Sequence, residues 1–127
     1  MSERIPYCVA DRRELSAEER LLLQFLLARE APDRLPQLEC LKVVARCGCG
    51  KCPTVLFGAS LDAEPSTRSS DEQEVASYRG PNAEGVDVAV SLVARHGQLA
   101  ELEAWAPVGG DINLWPPTKN LQRFNCR

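Results

Sequence analysis

No stretch of the 127 residues approaches the roughly 20 consecutive apolar positions that a membrane-crossing helix requires. The opening MSERIPYCVADRR has charge but neither an apolar core nor a small-residue cleavage site, so a secretory signal is not expected and the cytoplasm is the expected compartment. Basic residues are not in excess. Fifteen Lys and Arg against eighteen Asp and Glu give a net charge of −3, the wrong sign for a nucleic-acid surface. A single histidine, His96, leaves no His-rich metal site and argues against a catalytic triad. There is no phosphate-cradling glycine loop and no G-x-S-x-G, so no reaction class is indicated.

What is present suits one domain over residues 1–127, long enough to bury a core without covalent staples. SAEERLLLQFLLARE reads as the main helix, with Ser16 and Glu19 spaced as a capping box. Leu22, Phe25, Leu26 and Arg29 share one stripe, and Leu21, Leu23 and Leu27 widen it, which implies packing against a broad surface such as a sheet. Pro32 ends the helix, and a short turn or helix follows through DRLPQLE.

From Leu41 the apolar period changes to two. Leu41 to Cys49 and TVLFG read as a hairpin, EVASYRG as a third strand, and VDVAVSLVAR with GQLAELEAW as a second hairpin turning at His96-Gly97. The segment after Trp105 is expected to lie over the body as an irregular tail. The expected fold class is therefore α+β, one main N-terminal helix packed on a mostly antiparallel sheet of about five strands.

The six cysteines are not spaced as a disulfide framework. Cys8, Cys40 and Cys126 are solitary, and Cys47, Cys49 and Cys52 are clustered. Three explanations of the cluster compete. As a zinc site, Cys47, Cys49 and Cys52 supply three thiolates, and a fourth ligand must come from Cys8, Cys40, Cys126 or His96. As a redox C-x-x-C, Cys49 would need a helix N-terminus, but a strand follows Cys52; Lys51 alone favours the thiolate. As packing, Cys47 and Cys49 continue the parity of Leu41, Val43 and Ala45 and behave as small buried hydrophobes. The packing explanation is the expectation, with no cofactor, and zinc is its alternative.

Charge is unevenly placed. Nine acidic residues fall between Asp62 and Glu103, against Arg68, Arg79 and Arg95, and such a surface suits a basic protein partner. Glu101, Glu103 and Trp105 share one strand face, with Leu99 on the same parity, and form the expected partner-binding surface.

LSAEERLLLQFLLARE, VVARCGCGKCPTV and GQLAELEAW together resemble a group of small bacterial proteins of unknown function. Their pattern is a helix, a C-x-C-G-C-P/S-like hairpin and a strand pair ending in G-x-L-x-x-L-E; here Lys51 stands between Gly50 and Cys52. The resemblance runs from about Leu15 to Pro117 and brings no catalytic residues. The small acidic α+β build is also similar to that of bacterial immunity proteins, which act by binding a toxin. A non-catalytic binding protein with a protein partner is the functional expectation, and a small zinc-binding protein is the alternative.

Overall fold

The Ser16 hydroxyl accepts the Glu19 backbone N–H at 3.0 Å, and the Glu19 carboxylate accepts the Ser16 N–H at 2.9 Å. Two donors that a helix start leaves orphaned are thereby satisfied, and helix α1 (Ala17–Glu30) begins as its sequence dictates. These and the following details come from a computed structural model describing residues 8–50, 52–66 and 71–124. Arg13 donates to both Glu19 carboxylate oxygens, at 2.8 and 2.9 Å, and so ties the cap to the preceding strand.

Leu22, Leu23, Leu26 and Leu27 are buried, but Leu21 is 63% exposed. The expected widening by Leu21 is thus corrected. At about 100° per residue, Leu21 points almost directly away from the centre of the four buried leucines. A 3-10 helix (Pro32–Glu39) follows and adds Leu38 to the core.

The strands are β1 (Cys8–Glu14), β2 (Lys42–Cys47), β3 (Val55–Gly58), β4 (Gln73–Pro81), β5 (Asp87–Arg95), β6 (Gln98–Trp105) and β7 (Gln122–Arg123). They form one sheet in the order β1-β2-β3-β6-β5-β4-β7, antiparallel at every pairing. The α+β class holds, with seven strands among the described residues rather than about five. The two additional strands are the sheet's edges. β1 reads CVADRRE, and charge is tolerated on a strand with one neighbour. β7 has only two residues.

Val43, Val55, Phe57, Tyr78, Val90 and Leu102 meet the helix leucines in the main core. Ala45, Leu56, Ala89 and Val93 are also buried but lie outside that cluster, on the sheet's other face. The chain after β3 is held where Arg12 donates to the carbonyls of Leu61 and Ala63. The tail is anchored by Ile112, Trp115 and Leu121, all in the core.

Two strand irregularities decide which side chains face where. In β6, Glu101 pairs with Val93 and Leu99 with Ala94, so Ala100 is an extra residue. This bulge turns Leu99 to the helix side, correcting the expectation that it shares Trp105's face. In β2, Val43 pairs with Phe57 and Ala45 with Leu56, which leaves Val44 as the extra residue. The parity of every later β2 residue changes, and Cys47 is carried off the helix side.

Candidate functional site

The Val44 bulge determines the fate of the cysteine cluster. Had β2 continued regularly, Cys47 would face the main core with Val43. Instead it shares the opposite face with Ala45 and Leu56, where it lines a cleft of about 250 Å³ with Cys52, Thr54, Glu101 and Glu103. The expectation that Cys47 and Cys49 serve as core packing is therefore corrected. Cys49 is exposed, and Cys47 and Cys52 are half-buried, with Cys52 touching the core's edge.

The sulfurs turn towards one another. Cys47 Sγ and Cys49 Sγ are 3.3 Å apart, Cys49 Sγ and Cys52 Sγ are 3.5 Å apart, and all three lie within 4.8 Å. The bend that brings them together is local. The Cys47 N–H donates to the Thr54 carbonyl at 3.1 Å, and the Gly50 N–H returns to the Cys47 carbonyl at 3.3 Å. Gly50 adopts φ +69°, a conformation that glycine reaches without steric cost.

Polar groups already address these sulfurs. The Cys49 N–H donates to Cys47 Sγ at 3.5 Å, and the Cys52 thiol donates to Thr54 Oγ1 at 3.4 Å. Arg46 Nη1 stands 3.8 Å from where a Cβ on Gly50 would be, which puts a guanidinium beside the turn. Burial, reinforced by the neighbouring thiols of Cys49 and Cys52, pushes the Cys47 thiol up to about 12. That is opposite to the lowered thiol pKa of a reactive cysteine. The chain after Cys52 leads into β3 and not into a helix N-terminus, as the sequence implies. Lys51, the cation invoked for a redox C-x-x-C, lies outside the described residues, as does Cys126.

Two of the other fourth-ligand candidates lie away from the cluster. Cys40 and His96 line a different cleft, of about 410 Å³, together with Leu41, Phe57 and Leu99. His96 Nδ1 is 2.8 Å from Asp71 Oδ2. Cys8 is solitary in the sequence, yet β1 places it directly opposite Cys47. Its strand is hard to see beforehand because CVADRRE is rich in charge.

The expected partner surface is changed in part. Glu101, Glu103 and Trp105 do share a face, being paired with Val93, Ser91 and Ala89. Glu101, however, is 2% exposed and accepts from Arg95 Nη2 at 2.6 Å, so it is not available to an outside partner. Arg95 also donates to Glu72 at 2.7 Å and to the Ser66 carbonyl at 3.2 Å. Glu103 is half-buried, and Trp105 is 41% exposed, stacked on Phe124 with ring centroids 5.6 Å apart. The Arg79 guanidinium lies 4.8 Å from the Phe124 ring. Much of the acidic middle is paired internally: Glu64 with Arg12, Asp71 with His96, Asp87 with Arg79, and both Glu72 and Glu101 with Arg95.

Comparison with known proteins found no matching family model, no matching curated protein and no matching solved structure. No helix among the described residues is long and apolar enough to cross a membrane.

Proposed function

We propose that this chain is a non-catalytic binding protein whose β2–β3 hairpin tip is organised by one zinc ion on Cys47, Cys49 and Cys52. The convergence of the three sulfurs carries the metal reading. A zinc–thiolate bond of about 2.3 Å puts two sulfurs at tetrahedral corners about 3.8 Å apart. The observed separations of 3.3 and 3.5 Å approach that edge, and small χ1 adjustments close the difference. Soft thiolates favour zinc over magnesium or calcium. The Cys49 N–H and the Arg46 guanidinium supply the positive surroundings that several thiolates around one divalent ion require.

The test is elemental analysis of protein made in zinc-supplemented medium. About one zinc per chain is expected, with a lower unfolding temperature after chelation, because metal bound only by the folded site adds to its stability. Metal far below stoichiometry in repeated preparations would remove the zinc reading.

A second reading concerns what the protein binds. Trp105 is a large, partly exposed aromatic beside Glu103, stacked on Phe124, and aromatic anchors ringed by charge suit protein interfaces. We take the partner to be a basic protein, in the manner of bacterial immunity proteins, which this chain resembles in its small acidic α+β build. Trp105→Ala should then weaken capture of that partner by more than about 1 kcal/mol while leaving the fold in place.

A further inference from the structure

We infer that Cys8 is the fourth ligand of the hairpin-tip metal, completing a four-cysteine site that fastens edge strand β1 to the β2–β3 turn. This rests on the zinc reading above and adds the residue that closes the coordination sphere.

Cys8 and Cys47 are direct partners in the antiparallel β1–β2 register, so their side chains leave the sheet on the same face. Side chains so paired have Cβ atoms about 4.5–5.5 Å apart. The group of three close sulfurs does not include Cys8. A change of χ1 is the movement that would turn its sulfur towards the cluster from this position.

Cys40 and His96 are excluded by the sheet's dimensions. Cys40 precedes β2 whereas Cys47 ends it, and six strand residues separate the two ends by roughly 16 Å. His96 shares the Cys40 end of the sheet. Glu103 lines the cleft from β6, two strands from β2, but it offers a hard carboxylate oxygen where three soft thiolates already converge. Among the described residues, Cys8 is the thiol on a strand adjacent to the cluster and at the same level.

On binding, each of the four thiols would lose its proton to solvent, and the four sulfurs would displace the water ligands of the hydrated ion. Such a centre has no open position, so the metal is structural. It would clamp an edge strand whose sheet pairing, among the described residues, is otherwise with β2.

The experiment uses the full chain with zinc or chelator, pulse-alkylated with iodoacetamide and read by mass spectrometry. Zinc should slow alkylation of Cys8 together with Cys47, Cys49 and Cys52, and leave exposed Cys40 unaffected. Protection of Cys47, Cys49 and Cys52 without Cys8 would overturn this inference and leave the zinc reading standing. Protection of none of them would remove both. A second measurement follows cobalt substitution. Cys8→Ser should weaken cobalt binding by more than the roughly 10–100-fold typical of losing a group behind a ligand, and shift the d–d bands as a sulfur is replaced by oxygen. A spectrum and affinity equal to those of the unsubstituted protein would overturn the inference.

Discussion

Arg95 and Glu101, six residues apart across the β5–β6 hairpin, form an ion pair of 2.6 Å in which both side chains are almost wholly withdrawn from solvent. The bulge at Ala100 makes this possible, since it keeps Glu101 opposite Val93 after Leu99 has turned to the helix side. Removing Glu101 leaves the buried Arg95 with Glu72 as a remaining carboxylate partner. Glu101→Ala should therefore cost up to about 3–5 kcal/mol in chemical denaturation, the range for breaking a buried pair. Glu103→Ala, on the same face but half-buried, should cost about 1 kcal/mol or less. Equal, small effects would show that Arg95 is satisfied without Glu101.

The helix offers an internal control. Leu22→Ala and Leu26→Ala should each cost about 2–5 kcal/mol, because both lose their contacts inside a closed core. Leu21→Ala should change stability by no more than about 0.5 kcal/mol, since its side chain is mostly in water. Denaturation midpoints that fail to separate Leu21 from its neighbours would contradict the orientation described.

Gly80 is fixed by a neighbour rather than by its own conformation. A Cβ there would collide with the Asn120 carbonyl, where the tail crosses β4. Gly80→Ala should cost about 1–3 kcal/mol, the usual range for overpacking. Amide exchange around residues 118–124 should quicken as β7 loosens from Tyr78 and Arg79. Unchanged exchange there would show that the tail accommodates a methyl group.

Two carboxylates contribute to the acid limb of stability. Burial works to raise the Glu19 pKa, but the hydrogen bonds from Arg13 and Ser16, with the Arg13 charge, outweigh it and leave the value below the ordinary 4.5. Glu30 is also held low, by the Tyr78 hydroxyl first and then by Arg123. A carboxylate with a lowered folded pKa stabilises fully above its unfolded value, and that contribution is lost as pH falls through the folded value. The protein should lose stability between about pH 5 and more acidic conditions, and Glu19→Gln or Glu30→Gln should flatten that slope. Parallel slopes in variant and parent would place the titrating groups elsewhere.

The two tryptophans should report separately. Trp115 is 4% exposed and Trp105 is 41% exposed, so acrylamide should quench mainly Trp105. In Trp105→Phe the remaining emission should be poorly quenched. Efficient quenching there would mean that the tail does not hold Trp115 in the core.

Local signals carried the elements that the sequence reveals. The Ser16–Glu19 box, the alternation of Val86 to Ala94 and the His96-Gly97 turn are all short-range patterns. The turn is realised with positive φ at both positions, 55° and 76°. β1 was hidden because CVADRRE has an edge strand's charge, and β7 because two residues make no pattern. Within the candidate site, the cysteine spacing was legible, but the sulfurs' direction was not.

The sequence by itself determined the helix and its cap, the hairpins and the proximity of Cys47, Cys49 and Cys52, since each depends on residues a few positions apart. Only the tertiary structure decided which face those residues occupy. One extra residue in a strand reverses the side of everything beyond it, and whether Val44 and Ala100 bulge depends on the registers that β2 and β6 find with neighbours distant in sequence. The same long-range pairing put Cys8 opposite Cys47 and closed Arg95 over Glu101, because antiparallel register joins residues that no local pattern connects.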